Sequence, residues 1–345
     1  MDFDVAIIGG GSAGYAAASS AQALGAKVAI IDPGPLGGLC ILKGCMPTKA
    51  ILRSSDIMAL MRRAKEFGIQ SVDAQAHLSA INDRKNKLIK EFADYRIEQL
   101  NSPRFTLIEE RAQFISPHEI QIGNKFLKAR SFIIATGSVI ANYSVPGLKE
   151  TGFVTSDDIL KMREAPDSII VLGAGAVAVE LAQFLLRIGV KVTLLQRSEH
   201  ILSKGDEDLA KPVESRFREE GMDLYTGTKI LRAEKKPEGS VIYFEHEGKE
   251  KKVRAQYILQ ALGRRPNTDN LQLESAKIET QKSCIPVDSK MKTNQPHIYA
   301  VGDVNGIHEV VHIAIQQGEI AGYNAINSEN ERELDNRLKA SVVFT

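Results

Sequence analysis

The sequence predicts an α/β fold built on two βαβ units, and three observations predict it. A short apolar run precedes a glycine-rich turn at residues 4–8 (DVAII) and again at Ser168–Leu172 (SIIVL). Each turn leads into a stretch of helical length, residues 12–24 and 177–188, and then into a second apolar run, residues 27–32 (KVAIID) and Lys191–Leu195 (KVTLL). Strand, turn, helix and strand within about 30 residues require a crossover, so each unit implies a parallel sheet. The pattern returns about 165 residues later in the same chain, which makes it an internal repeat.

Length and composition bound the rest. The 345 residues suffice for two or three domains at roughly 100–200 residues each. Hydrophobic residues make up 43% and charged residues 25%, close to globular averages, which excludes a disordered chain. Lys plus Arg number 44 against 43 Asp plus Glu, and a formal net charge of +1 leaves no footprint for nucleic acid or an anionic membrane. No apolar run approaches the ~20 residues of a spanning helix. The amino terminus enters a strand without the basic, apolar and cleavage regions of a secretory leader, which points to the cytoplasm. Three cysteines make no disulfide scaffold, yet Cys40 and Cys45 stand close together. In a cytosolic chain such a pair more often means redox or metal chemistry.

Between the repeats, residues 51–100 carry helical spacing: Ile57, Leu60, Met61 and Ala64, then Leu78, Ile81, Lys85, Leu88, Phe92 and Tyr95. They predict two long amphipathic helices broken near residues 68–73, with their charges on a solvated face. Residues 105–135 read as short strands ending in the apolar run SFIIATG, and Pro146 with Gly147 marks a boundary. Residues 225–262 shift to strand periodicity, and residues 297–304 (HIYAVGDV) form a strand closing on Gly-Asp. A small-residue helix spans residues 312–326, and residues 337–345 read as a strand just starting.

The chemistry sits in four motifs. Gly9, Gly11 and Gly14 form a GxGxxG turn between strand and helix, with Asp32 ending the second strand. The first glycine makes the turn, the second admits a pyrophosphate and the third lets helix and strand pack. The helix N-terminus offers N–H groups to the phosphates, and Asp32 would accept from a ribose hydroxyl. The second motif is Gly173, Gly175 and Ala178, where alanine widens the helix–strand approach. Gln196 stands where an acid would read a ribose hydroxyl, and Arg197 follows, which favours a 2′-phosphate and hence NADPH. The alternative is that Arg197 is a solvated surface residue. The third motif is Cys40 and Cys45 in GGLCILKGCMPTKA. Two small buried residues is one reading of them, and redox chemistry is the other. Two thiols with no neighbouring His or Cys are too few for zinc. Residues five apart in a regular helix lie ~8 Å apart, beyond disulfide reach, so a disulfide requires a distorted turn; Gly44 and Pro47 supply one. A helix starting at Pro47 would stabilise a Cys45 thiolate. The fourth set is Ala135, Thr136 and Gly137 with Gly302 and Asp303, where Asp303 can accept from a polyol.

Together these motifs resemble the class I pyridine nucleotide-disulfide oxidoreductases, the family of dihydrolipoamide dehydrogenase, glutathione reductase and mercuric reductase. GGLCILKGCMPTKA resembles the family's GGTCxNxGCxPSKA, and ATGS, GRRPNT and TNQPHIYAVGD resemble three further family stretches. The resemblance implies two Rossmann-like (three-layer ββα) dinucleotide-binding domains. It places FAD on the first motif and NADP or NAD on the second. Electrons would pass from NAD(P)H through flavin and a Cys40/Cys45 disulfide to a small-molecule or protein-bound disulfide or dithiol substrate. Cys45 would face the flavin, Cys40 would exchange with substrate, and Lys49 would pair with Glu180 near the flavin. Further cofactor contacts are implied at Ser12, Ala13, Pro33, Gly38, Leu39, Ala112, Gly263 and Val311. The implied organisation is an FAD-binding domain at 1–148 and 267–330, an NAD(P)-binding domain at 149–266, and the start of a C-terminal dimerisation domain at 331–345. That domain carries a His-Glu pair in the family, and no histidine here stands in its context; His312 and Cys284 read as structural. The longer form would be a homodimer, and this chain alone could be a monomer. Ala176 replaces a tyrosine that often shields the nicotinamide, and Leu39 replaces a threonine.

Overall fold

The structure is a computed structural model and describes residues 1–70, 73–335, 337 and 340–345. The chain divides into two compact units. The first comprises Met1–Leu42, Lys90–Ile140 and Arg264–Ser341, and the second Lys43–Ile89, Ala141–Gly263 and Val342–Thr345.

In the first unit the apolar run predicted at residues 4–8 is the strand Phe3–Ile8, central because it is buried on both faces. It pairs in parallel with Val28–Ile31 on one side and Lys125–Ile134 on the other. Thr106–Ile108 and Ile298–Ala300 extend the parallel sheet. The first half of Lys125–Ile134 instead joins an antiparallel meander with Glu119–Ile122 and Ala112–Ser116. The burial pattern of that strand changes with its role, alternating along the meander and continuous where it is sandwiched. The helix Ser12–Gln22 packs on the helix Val311–Asn324 through small residues. A Cβ at Gly318 would strike the carbonyl of Ala13, and one at Gly322 the carbonyl of Ala17. The two glycines are four residues apart, on one helix face, so the backbones themselves meet there.

The second unit repeats the plan. Asp223–Tyr225, Lys191–Leu195, Ser168–Leu172 and Tyr257–Gln260 form a parallel sheet in that order. The helix Ala176–Arg187 is buried around most of its circumference. An antiparallel sheet of Lys229–Lys236, Gly239–His246 and Lys249–Ala255 accounts for the strand periodicity of residues 225–262. This matches the expected fold class: α/β with two Rossmann-like dinucleotide-binding units.

Several expectations change in detail. The long helices are Cys45–Arg62 and Leu78–Leu100, with a 3-10 turn at Ala64–Phe67; Ser71 and Val72 of the expected break lie outside the described residues. The predicted stripes are buried only in part, at Ala64, Leu78 and Lys85. Ile51, Leu52, Ser55 and Met58 are buried, whereas Ile57, Leu60, Phe92 and Tyr95 are exposed within this chain. Lys85, a member of the predicted stripe, donates to the carbonyl of Leu160 at 2.5 Å. The helix Glu207–Glu219 escapes the sequence reading because Pro212 sits inside it. Leu338 and Lys339 of the expected terminal strand lie outside the described residues, and residues 340–345 form no strand.

The glycine contact between helices gives a test. Gly322→Val forces a side chain into the backbone of Ala17 and is expected to lower the unfolding free energy by about 1–3 kcal/mol. Urea denaturation measures it, and an unchanged midpoint would contradict this packing.

Candidate functional site

The first glycine loop leaves its strand at Gly9, whose φ of +110° L-residues rarely adopt. A Cβ at Gly9 would strike the carbonyl of Ala135, and one at Gly14 the carbonyl of Gly9. A Cβ at Gly38 would come 2.6 Å from the Cα of Gly11, so the segment leading to Cys40 lies directly on the loop. The helix behind the loop starts with Gly11 as its cap, without a side-chain cap and without an acid in its first turn. Its first N–H groups are therefore suited to an anion. Asp32 accepts from the N–H of Gly10 at 2.6 Å and of Gly34 at 2.8 Å, so its carboxylate also fastens the loop.

The other predicted residues of this unit gather near the ends of the parallel strands. Ala135 is buried, Thr136 donates its hydroxyl to the carbonyl of Asn267 at 2.7 Å, and Gly137 has φ +69°. Asp303 accepts from the Ser138 hydroxyl at 2.6 Å, and that hydroxyl accepts from Nε of Arg264 at 2.8 Å. The N–H of Gly302 donates to Gln317 at 2.7 Å. Ala112 is buried in the meander, Pro33 is exposed, and Leu39 and Cys40 are half-buried in the short helix Gly38–Leu42. Val311 opens the last helix.

Sequence reasoning missed Arg96. Its guanidinium lies 4.2 Å from the ring of Tyr15, in a cleft of about 460 Å3 beside the first glycine helix. Burial lowers its pKa, and the nearby Tyr15 and Cys40 oppose that shift. No spacing rule marks a lone arginine on a charged helix.

In the second unit Gly173 has φ +96°, and a Cβ there would come 2.6 Å from the carbonyl of Ala261. Gly175 caps the helix Ala176–Arg187, again with no acid in the first turn. Ala178, fully buried, carries a Cβ where the first loop allows none. Gln196 is buried and reaches the carbonyl of His200 at 3.4 Å, while Arg197 is exposed. Gly263 has φ +131°.

Cys45 is exposed and opens the helix Cys45–Arg62, whose N-terminal dipole favours a thiolate. The helix starts two residues before the predicted Pro47. Four residues on, Lys49 donates to both oxygens of Glu180, at 2.9 and 2.7 Å. Glu180 is only 3% exposed on a helix whose other buried side chains are almost all apolar, so the ammonium is the counter-charge its burial requires. The N–H of Phe344 also donates to Glu180 at 3.1 Å, and its ring centroid lies 4.9 Å from the Lys49 nitrogen. Two turns along, Arg187 grips Glu220 with two hydrogen bonds, at 3.0 and 2.9 Å, and reaches Asp56 at 2.7 Å. Burial works to raise the Glu220 carboxyl, but hydrogen bonds from Arg187, Gln183 and Arg216 hold it below the usual carboxylate value. Among the described residues no cluster of three or more His, Cys, Asp or Glu could hold a metal. No helix among them is long and apolar enough to cross a membrane.

Two outcomes follow from these ion pairs. Lys49→Met strands a buried carboxylate and is expected to cost about 3 kcal/mol, most of it recovered by adding Glu180→Leu; a chemical-denaturation double-mutant cycle checks it. Because the folded pKa of Glu220 is depressed, its stabilisation is complete above the unfolded value of about 4.3 and is lost as pH falls through the folded value. Glu220→Gln should therefore flatten the acid side of the stability–pH curve, and an unchanged slope would contradict the pairing.

Comparison with known proteins points the same way. The family model described as pyridine nucleotide-disulphide oxidoreductase matches residues 3–318. Mercuric reductase from Staphylococcus aureus is 34% identical across 100% of this chain, which spans 63% of that protein's length. Dihydrolipoyl dehydrogenase from Bacillus subtilis (strain 168) is 32% identical over 93% of this chain and 71% of its own. The solved structure of the HOCl-induced flavoprotein disulfide reductase RclA from Escherichia coli gives a TM-score of 0.83 at 26% identity, covering 96% of this chain and 72% of that one. The chain belongs to the pyridine nucleotide-disulphide oxidoreductase family, which uses FAD and NAD(P)H.

Proposed function

We propose that this chain moves electrons from NAD(P)H, by way of FAD, to Cys40 and Cys45 and on to a disulfide or dithiol substrate, as a dihydrolipoamide dehydrogenase-like enzyme. The observation that carries this reading is the Lys49–Glu180 pair, in which a cation on the helix that Cys45 opens is gripped by a buried carboxylate. The first loop fits FAD. Gly9 makes the turn, Gly11 leaves room for a pyrophosphate and Gly14 packs helix on strand, Asp32 keeps lone pairs for a ribose, and Asp303 presents a carboxylate to a ribitol. Residues 1–148 and 267–330 would form the FAD-binding domain, residues 149–266 the NAD(P)-binding domain, and residues 331–345 the approach to a dimerisation domain. The second loop fits a dinucleotide in the same way, and the exposed Arg197 favours the 2′-phosphate of NADPH.

Bound FAD supplies the two-electron chemistry that no side chain has. The chain's own part is thiol chemistry. The Cys40 thiolate attacks one sulfur of the substrate disulfide, forms a mixed disulfide and releases the first thiol, which takes a proton from water. The Cys45 thiolate then attacks Cys40, releases the second thiol and leaves the two cysteines oxidised. Two electrons have passed from the cysteines to the substrate, and NAD(P)H restores them. Arg96 supplies positive charge toward Cys40, and the helix N-terminus does so for Cys45. The few cysteines suit a reducing compartment such as the cytoplasm. A homodimer is the assembly in this reading.

The match to mercuric reductase favours a second reading, in which a metal ion or another acceptor takes the electrons. One experiment separates the readings. The FAD-loaded protein is reduced without air by one equivalent of NADPH or NADH, and its absorbance is followed. The disulfide reading expects a long-wavelength band in the parent that Cys45→Ser abolishes together with disulfide reduction. Dye or metal-ion reduction that survives Cys45→Ser, with no disulfide turnover in the parent, supports the second reading. Faster reduction by NADPH than by NADH is the expected order, slowed by Arg197→Ala. A chain that takes up no FAD overturns both.

A further inference from the structure

The helices Cys45–Arg62 and Ala176–Arg187 are joined by two ion pairs: Lys49 to Glu180 and Asp56 to Arg187. On each helix the second partner stands seven residues after the first. Seven residues bring a side chain back to nearly the same face, about 10 Å along the axis. The two rungs therefore lie one above the other on facing surfaces, and they have opposite polarity. The helix carrying Cys45 contributes the cation at the first rung and the anion at the second; its neighbour contributes the reverse.

This pattern admits one alignment. Reversing one helix would set Lys49 against Arg187 and Asp56 against Glu180, two like-charge pairs. Sliding one helix by seven residues would set either Lys49 against Arg187 or Asp56 against Glu180. Only the parallel, in-register arrangement pairs every charge. The second rung is anchored through Arg187. The Arg187 side chain is 11% exposed, is held by both oxygens of Glu220, and belongs to a network with Gln183 and Arg216. The Asp56 carboxylate is 44% exposed, so the rung costs little desolvation on that side.

We propose that Arg187 is a positioning residue for Lys49. It fixes the register of the helix that begins at Cys45, and so holds the Lys49 ammonium on the Glu180 carboxylate. The role of Lys49 toward a cofactor rests on the function proposed above; the positioning itself does not.

The test uses the chain without cofactor, so a failure of the flavin reading leaves it intact. Native protein is treated with limiting acetic anhydride, and acetylation of each lysine is measured by peptide mass spectrometry. Lys49 is expected to react slowly, because its nitrogen is bound by Glu180. Arg187→Gln should raise its labelling rate about five-fold, a typical size for coupling between neighbouring sites. The exposed Lys125 and Lys249 should react at the parent rate, and Arg187→Lys should restore much of the protection. A general loss of stability would speed every buried lysine and would not single out Lys49. If Arg187→Gln does not fold, Asp56→Asn breaks the rung at its exposed end and carries the same expectation. A folded variant whose Lys49 reacts at the parent rate overturns the proposal.

Discussion

Both glycine loops obey one constraint: the backbone leaving the central strand passes so close to a neighbouring strand that no Cβ fits. In the first unit the obstacle is the carbonyl of Ala135 across from Gly9; in the second it is the carbonyl of Ala261 across from Gly173. The hydrogen bonds around the two glycines correspond one for one. Gly9 donates to Ile31 and Gly173 to Leu195, while Ala135 donates to Ile8 and Ala261 to Leu172. The loop thus stays locked into its sheet, and the helix behind it points its free N–H groups past the strand ends. The rest of each site is arranged around that fixed point. Asp32 ties down the first loop, Gly38 rests on Gly11, and the segment bearing Cys40 follows from there.

The second unit adds a buried charge. Glu180 lies in a helix whose other buried side chains are almost all apolar, and a carboxylate there is tolerable only with a cation and further donors. Lys49 and the N–H of Phe344 supply them. The interaction costs desolvation and returns specificity, because it ties the helix of Cys45 to one place on its neighbour. A hydrophobic pair at these positions would hold the helices together without setting which lysine faces which carboxylate.

Much of the fold was legible because its signals are local. Strands 168–172 and 191–195 fall where the apolar runs do, and the glycine loops announce themselves by spacing. The buried face of the first long helix was not legible, and on the second the expected stripe is buried at Leu78 and Lys85 but exposed at Phe92 and Tyr95. Ile57 and Leu60 have the right spacing and the right chemistry, yet Ile51, Leu52, Ser55 and Met58 face the core. Periodicity says that a stripe exists; it does not say which of two overlapping stripes the neighbouring elements cover. Lys85 belongs to the expected stripe, and its charged end is tolerated there because the Leu160 carbonyl lies within its reach.

The site divides along the same line. The sequence by itself determined the residue types at each motif: the glycines, Asp32, the two cysteines, Lys49, Glu180 and Asp303. These follow from chemistry that requires them at fixed spacing along the chain. Only the tertiary structure decided what each polar group touches. It gave Asp32 a second task in the loop, linked Ser138 to Asp303 and Arg264, and set Arg96 on Tyr15. It also stacked Asp56 and Arg187 two turns from Lys49 and Glu180. Asp32 and Gly34 aside, those partners lie dozens to more than a hundred residues apart in sequence, where no periodicity connects them, and their contacts exist only once the packed backbones have brought the side chains together.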